Sequence, residues 1–310
     1  MLPSRTGPRK ASRGTTATPG SAGHTMPRPQ LAAARNIAKV ALLLGGFAAA
    51  FTVLGWWLGG ARAGGVLLVV ALLSSGMLVY SGDRVILGML GARELLPAGA
   101  PAFASMVKRL ARRVGTGAVK LAVIDDGHPR ALAVGRTPNR STLVVSRGLL
   151  SMAAPAELEG VVAHELAHVR SWDVLVQTVT VVITGATLEM SRFGLVFQQV
   201  LLVVLGPLAA SLANLMLSPR RDLAADAAAA AACESPAAVA DSLLHLDHAS
   251  GLVNFEANPA TEPLYTINPF ADEGIAAMFS THPPLAERVR LLRAMDDEAQ
   301  ATSGQDSAQP

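Results

Sequence analysis

The sequence has one cysteine, Cys233, among 310 residues. No disulfide can form within the chain, which excludes a disulfide-stapled scaffold and suits a reducing compartment. Cys233 follows an alanine run with no catalytic partner near it in sequence, so it reads as a small packing residue. Acid is absent from residues 1–30, which are rich in Pro, Gly, Ser, Thr and Arg. That composition predicts a disordered basic tail able to touch anionic lipid. No apolar stretch of the right length precedes a cleavage site there, so it is not read as a secretory signal. Charge is scarce throughout: 16% of residues are Asp, Glu, Lys or Arg, against roughly 25% in ordinary soluble domains. Aromatics make up 4%. The basic stretch Lys108–Arg113 has none interleaved, so it reads as a solvated or lipid-facing surface and nucleic acid is not an expected partner.

Long apolar runs fill the gap that charge leaves. Val40–Leu58, Gly64–Tyr80 and Leu195–Leu217 carry no charged residue, and Val174–Leu188 is a weaker run with Gln177 and several threonines. A bilayer core needs about 20 apolar residues per helix. The first and last of the uncharged runs are read as transmembrane. The shorter Gly64–Tyr80 joins the first through the turn Gly59–Gly65 and ends at a polar Ser81–Arg84 stop. Val174–Leu188 fits either a span or a buried helix of a soluble domain. Basic residues cluster before the first run (Arg28, Arg35, Lys39) and after the second (Arg84, Arg93, Lys108, Arg109). The hairpin turns hold only Arg62 and Arg192. The positive-inside rule therefore places the N-terminus and the rest of the polar chain in the cytoplasm, both turns outside, Trp56 and Trp57 at the outer interface and Tyr80 at the inner one.

Residues 83–173 read as soluble. Pro101–Val114 places Phe103, Met106, Val107 and Leu110 on one helical face. Val119–Ile124, Ala131–Gly135 and Thr142–Ser146 read as short strands between turn-formers. Pro155 opens a helix whose start suits Glu157 and Glu159. Further helices are expected over Pro219–Cys233, Pro236–Ala249 and Pro284–Met295, with a punctuated loop at 254–268 and a polar tail at the end.

The chemistry sits in Val161-Val162-Ala163-His164-Glu165-Leu166-Ala167-His168-Val169. On a helix, His164 and His168 lie one turn apart on the same face. Two imidazoles at that spacing can chelate one Zn²⁺, with Glu165 in reach of the activated water as general base. Zinc matters because it lowers the pKa of its water to about 7. A catalytic zinc takes three protein ligands. Asp222 and Asp226 lie one turn apart on a later helix: one can ligate while the other fixes a histidine tautomer, or both can be exposed and pair with Arg220 and Arg221. Spacing leaves that open. His245 and His248 read as a solvated helix face, and His24 and His128 as loop residues without a role.

The chain resembles the HtpX-type membrane zinc metallopeptidases, relatives of the CAAX-prenyl endopeptidase. The resemblance runs from about Asn36 to Leu292. It rests on Gly88–Glu94, Ala131–Pro138, His164–Asp173, the Ser-x-x-Arg-acid-x-x-Ala-Asp element at Ser218–Asp226, and Phe279–Arg288. It implies His164, His168 and Asp222 as ligands of one Zn²⁺ per chain and Glu165 as the catalytic base. Asp222 stands where the family has Glu, one methylene longer. The resemblance implies Asp226 behind the ligands, and His282 there too or polarising substrate. It implies Ala131, Leu132, Ala133 and Val134 as an edge strand that pairs with extended substrate. The family has Asn where Arg130 stands.

The expected architecture is thus an α-helical polytopic membrane protein carrying a zincin-like α+β catalytic domain. Along the chain this gives a basic tail (1–30), a transmembrane hairpin (31–82) and a catalytic segment with the H-E-x-x-H helix (83–173). A second hydrophobic hairpin (174–217), a catalytic segment with the third-ligand helix (218–296) and a polar tail (297–310) follow. The expected activity is zinc-dependent cleavage of misfolded or membrane proteins at the inner (plasma) membrane, with lipid and protein substrates as partners. The alternative is a membrane scaffold of the same fold with a degenerate site. A metal transporter would need ionisable residues within the spans, and the strong spans have none.

Overall fold

Gly59 and Gly60 break the first long helical stretch in two. The computed structural model describes residues 29–192, 207, 210–251, 264–266 and 281–306. The tail at 1–28, most of the Leu195–Leu217 run, the 254–268 loop apart from Leu264–Thr266, and the last four residues lie outside the described residues. Helix α1 (Pro29–Met89) contains non-helical backbone at Gly59 and at Gly60, whose φ of 69° favours glycine. A Cβ on Gly55 would lie 2.6 Å from the Ala63 carbonyl oxygen and 2.8 Å from Gly64 Cα. Residues nine apart in one straight helix stand far from contact, so the chain reverses at this glycine pair and its two arms run side by side. Trp56 and Trp57 are exposed beside the turn.

The second arm does not stop at Ser81–Arg84. It stays helical to Met89 because Ile86 is fully buried against Leu132, Val134 and Val144. A buried side chain of that size contributes about 1.5–3 kcal/mol, more than the polar residues cost on the arm's exposed side.

A four-stranded sheet follows: β1 (Arg93–Glu94), β2 (Lys120–Ile124), β3 (Ala131–Thr137) and β4 (Arg140–Ser146). Its order is β1-β2-β4-β3, with β2 parallel to β4 and the other pairs antiparallel. Strand alternation divides the side chains. Leu132, Val134 and Val144 face the α1 side, while Ala131, Leu143 and Val145 join the main core. That core is shared with α2 (Pro101–Val114), α4 (Pro155–Arg170), α6 (Arg220–Cys233) and α7 (Pro236–Gly251). The short α3 (Arg147–Met152) starts on Ser146, whose side chain accepts from the Leu149 N–H. In α2 the apolar face buries Phe103, Met106, Val107 and Leu110, as its spacing requires.

The run beginning at Val174 forms α5 (Asp173–Arg192). Val174, Val176, Val179 and Val181 are buried, and Thr178 packs against Gly82 of α1. Residues 210–216 are helical. The final helix, α8 (Leu285–Asp306), runs well past Met295, with Gln300 donating to Asp296 one turn back.

Candidate active site

Helix α4 carries the H-E-x-x-H segment into the centre of the fold. Pro155 sits at its first turn, and Glu157 accepts from the Ala154 N–H at 2.8 Å, satisfying one of the free donors. Gly160 lets α7 approach closely: a Cβ there would lie 2.7 Å from Ser242 Oγ and 3.5 Å from Val239 Cα. Every residue from Gly160 to Val169 is buried.

His164 Nε2 lies 3.1 Å from His168 Nε2. Each ring's other nitrogen faces a carboxylate, Asp226 at 2.8 Å from His164 Nδ1 and Asp173 at 3.0 Å from His168 Nδ1. Those carboxylates hold both protons on Nδ1 and leave two Nε2 lone pairs pointing at one spot. Asp222 on α6 closes the third side, with Oδ1 3.3 Å from His168 Nε2. The three ligand-type atoms lie within 4.8 Å of one another. Asp222 Oδ1 is buried and makes no hydrogen bond of good geometry, the nearest nitrogens being His168 Nε2 at 3.3 Å and Arg221 Nε at 3.6 Å. A carboxylate oxygen so placed suits a closer cation. The Nε2–Nε2 separation matches the edge of a tetrahedron with bonds of about 2 Å. The donor set therefore fits a metal ion of the zinc class.

Asp222 and Asp226 are not surface acids. Their exposures are 0% and 2%. The expectation of exposed acids is overturned, because one turn of helix aims both carboxylates inward, one at each histidine. The pairing with Arg221 does occur, but buried, with Arg221 Nε 3.6 Å from Asp222 Oδ1. Asp222 Oδ2 pairs with His282 Nδ1 at 2.9 Å, so His282 backs the Asp222 carboxylate on the side away from His168. Asp226 is gripped by Arg288 of α8, which donates from Nε to Oδ2 and from Nη2 to Oδ1, each at 2.7 Å. Arg288 Nη1 also donates to the Thr266 carbonyl at 2.6 Å. Thr266 in turn donates its hydroxyl to Glu165 Oε1 at 2.8 Å and lies 3.3 Å from the Ala131 carbonyl oxygen.

The electrostatics follow from burial and these partners. Burial alone would raise the Asp226 carboxyl, but Arg288 overrides it and holds the group at about 2. Burial likewise opposes ionisation of Asp222, yet Arg221 and His282 hold it well below the usual carboxylate range. Burial would lower His168, but its hydrogen bonds to Asp173 and Asp222 raise it to about 9 without metal. His164 is lowered, chiefly by burial.

Strand β3 is the outer strand of the sheet, and Ala131, Leu132, Ala133 and Val134 are all buried. Its backbone alternates between facing β4 and facing away. The Gly135 N–H and carbonyl face away and are closed off by the Thr178 hydroxyl, at 3.2 and 3.0 Å. The Ala131 carbonyl faces away towards Thr266. Ala133, two residues from each, presents its N–H and carbonyl on the same outer edge. Arg130, just before the strand, pairs with Asp126 and donates to Tyr265 Oη at 3.2 Å.

Residues 97–296 match the profile of peptidase family M48. The chain belongs to peptidase family M48. It is a metalloprotease of that family and is similar to proteins named Protease HtpX homolog. The one from Acidiphilium cryptum is 36% identical over 279 residues, covering 84% of this chain and 96% of the relative. That from Pelotomaculum thermopropionicum is 34% identical over 281 residues, with 84% and 99% covered. That from Salinibacter ruber is 35% identical over 262 residues, with 81% and 94% covered. Among solved structures, the crystal structure of S. mikatae Ste24p aligns with a TM-score of 0.46 at 16% identity, covering 85% of this chain and 66% of that one.

Four residues of this M48 site escape sequence reasoning: Asn36, Asp173, Thr266 and Arg288. Asp173 had a signal, an acid five residues after the second motif histidine. Trp172 adopts a left-handed φ of 64°, reversing the chain between α4 and α5 so that Asp173 returns under His168. Arg288 had a weaker one, as the cation that ends the Phe279–Arg288 element. Thr266 sits in a loop and had none. His245, read as solvated, is half-exposed and pairs with Glu157 at 2.6 Å. His128, read as a loop residue, is buried.

Proposed function

We propose that this chain is a zinc-dependent endopeptidase of the cell membrane that cuts misfolded or membrane proteins on the cytoplasmic side. One observation carries the reading: two imidazole Nε2 atoms and one buried carboxylate oxygen come together on the helix face next to the Glu165 position, within 4.8 Å of one another. His164, His168 and Asp222 would hold the ion. Zinc bound there would supply a Lewis acid able to polarise the scissile carbonyl and acidify water.

The chain's own residues do the rest. Glu165, oriented by the Thr266 hydroxyl, takes the proton of the attacking water and returns it to the leaving amine. Asp226 and Asp173 keep both ligand histidines in the Nδ1–H tautomer. His282 steadies the second oxygen of Asp222. The outward N–H and carbonyl of Ala133 pair with an extended substrate backbone, and Thr178 and Thr266 mark the ends of that edge.

Membrane attachment rests on the α1 hairpin. Its apolar residues Leu42, Val53, Leu54, Val69, Leu72 and Leu73 are exposed, a surface that suits lipid. The multi-pass, cytoplasm-facing arrangement is supported by the basic residues at the base of the hairpin and the lone Arg62 near its tip. The test is metal content and cleavage of an unfolded membrane protein by detergent-purified protein. One zinc per chain with chelator-sensitive cleavage is expected. Cleavage unaffected by chelator would overturn the reading.

A further inference from the structure

The metal site is not built by the catalytic elements alone. Asn36, on the first arm of α1, is 4% exposed at the base of the apolar hairpin. Its Nδ2 donates to Asp173 Oδ1 at 2.6 Å and to the Ser171 carbonyl at 3.0 Å. The other oxygen of Asp173 faces His168 Nδ1 at 3.0 Å and accepts from Ser171 Oγ at 2.6 Å. A polar chain therefore runs from the hydrophobic hairpin to a ligand histidine: Asn36 to Asp173 to His168. A primary amide is the right group for this place. It donates two bonds without adding charge beside a buried carboxylate. An apolar residue there would leave the Ser171 carbonyl and Asp173 Oδ1 unsatisfied.

We propose that Asn36 is a positioning residue of the zinc centre, so that docking of the hairpin against α5 sets the metal affinity of the catalytic domain. The inference rests on the zinc reading of the site. Asp173 has a rotatable carboxylate at the start of α5, just after the left-handed Trp172. Ser171 and His168 share one of its oxygens; Asn36 binds the other and with it fixes the plane of the group. Release of the hairpin from α5 would let that plane turn and loosen His168. The reach of the hairpin into the site thus makes the enzyme sensitive to how its membrane part is seated.

The experiment measures zinc affinity of the full chain in detergent by competition with a chromophoric chelator, together with the visible absorption of the cobalt-substituted protein. The variants are Asn36→Ala, Asn36→Gln, Asp173→Ala and the Asn36→Ala/Asp173→Ala pair. The control is Thr52→Ala, which removes a bond within the same arm, from the Thr52 hydroxyl to the Ala48 carbonyl at 2.7 Å, away from Asp173. Asn36→Ala should bind zinc about tenfold more weakly, the lower end of the range for residues behind a ligand, with altered cobalt bands. Asn36→Gln should recover part of the affinity. The pair should bind no more weakly than Asp173→Ala alone, because the effect passes through that carboxylate. Thr52→Ala should bind as the unaltered protein does. Unchanged affinity in Asn36→Ala, an additive loss in the pair, or an equal loss in Thr52→Ala would overturn the inference. If Asn36→Ala does not fold, Asn36→Gln against Thr52→Ala decides by the same criterion. Failure of the unaltered protein to bind zinc would instead overturn the reading of the site.

Discussion

His164 and His168 bring their Nε2 atoms to 3.1 Å of each other, and the Nδ1 of each ring faces a carboxylate on its far side, an arrangement that favours the proton on Nδ1. Two lone pairs at that distance repel unless a cation or a proton lies between them. Without metal the site resolves this by protonating His168, whose pKa is raised to about 9 although burial opposes it. A zinc ion bound there would have to displace that proton.

Zinc affinity should therefore depend on pH. Below about 9, each pH unit gained exposes ten times more metal-ready His168, so affinity should climb about tenfold per unit and level off near pH 9. The metal-free protein should behave oppositely. The stabilisation from protonated His168 is fully present below its ordinary value of 6.5 and fades as pH rises through about 9. Chelator competition from pH 6 to 10 and melting in excess chelator would show both trends. A pH-independent affinity between 7 and 9 would contradict the tautomer assignment.

Glu165 lies in the same pocket but is aimed by Thr266 rather than by the metal ligands. Glu165→Gln should therefore keep its zinc and lose cleavage, by at least about 10²–10⁴ in rate. Turnover near normal with zinc retained would remove Glu165 from the mechanism.

Arg288 and Asp226 form a two-bond pair whose side chains are 2% and 3% exposed. Breaking a buried pair from one side costs about 3–5 kcal/mol. Arg288→Met should lower the chelator-treated melting temperature sharply, and Arg288→Lys should not restore it, since lysine lacks the fork. Arg288→Met with Asp226→Leu should regain most stability, because an apolar replacement of the whole pair is often neutral. Zinc affinity should stay down about 10–100-fold in that double variant, because His164 has lost its carboxylate. Asp222→Ala should lose most of its zinc outright. Full occupancy in Asp222→Ala with none in Asp226→Asn would exchange the roles of the two acids.

Much of this site was legible because it is periodic. His164 and His168, and again Asp222 and Asp226, are i, i+4 pairs, and one turn of helix is enough to put each pair on one face. The fold was legible for the same reason where one face is buried, as in α2, and where a short run is apolar throughout, as in β3. What periodicity cannot show is contact between distant elements. Asn36 meets Asp173 across 137 residues and Arg288 meets Asp226 across 62. The same limit hid the second arm's extension to Met89, which is held by Ile86 against the sheet. Strand β1, two residues long, carries no period at all.

The α1 hairpin sets a topology test. In a Cys233→Ser background, Arg62→Cys near the turn should react in intact cells with a thiol reagent that cannot cross membranes. Ser105→Cys, exposed on α2, should react only after permeabilisation. The reverse pattern would invert the protein in the membrane.

The register of β3 separates substrate binding from folding at adjacent positions. Leu132 and Val134 turn their backbone groups to β4, while Ala131, Ala133 and Gly135 turn theirs outward. Proline removes an N–H, and an edge strand tolerates that only on its outer side. Leu132→Pro should therefore break the β3–β4 ladder and destabilise the domain, by about 1–3 kcal/mol for the buried β4 carbonyl left without its donor. Ala133→Pro should leave the ladder and bound zinc intact but delete the donor that an extended substrate needs. Its KM should rise about tenfold or more, with kcat less affected, because a lost backbone bond weakens binding by roughly 1.4 kcal/mol. Thermal unfolding, metal content and peptide kinetics on the two variants separate the outcomes. An Ala133→Pro protein that folds, holds zinc and cleaves with an unchanged KM would show that substrate does not pair with this edge.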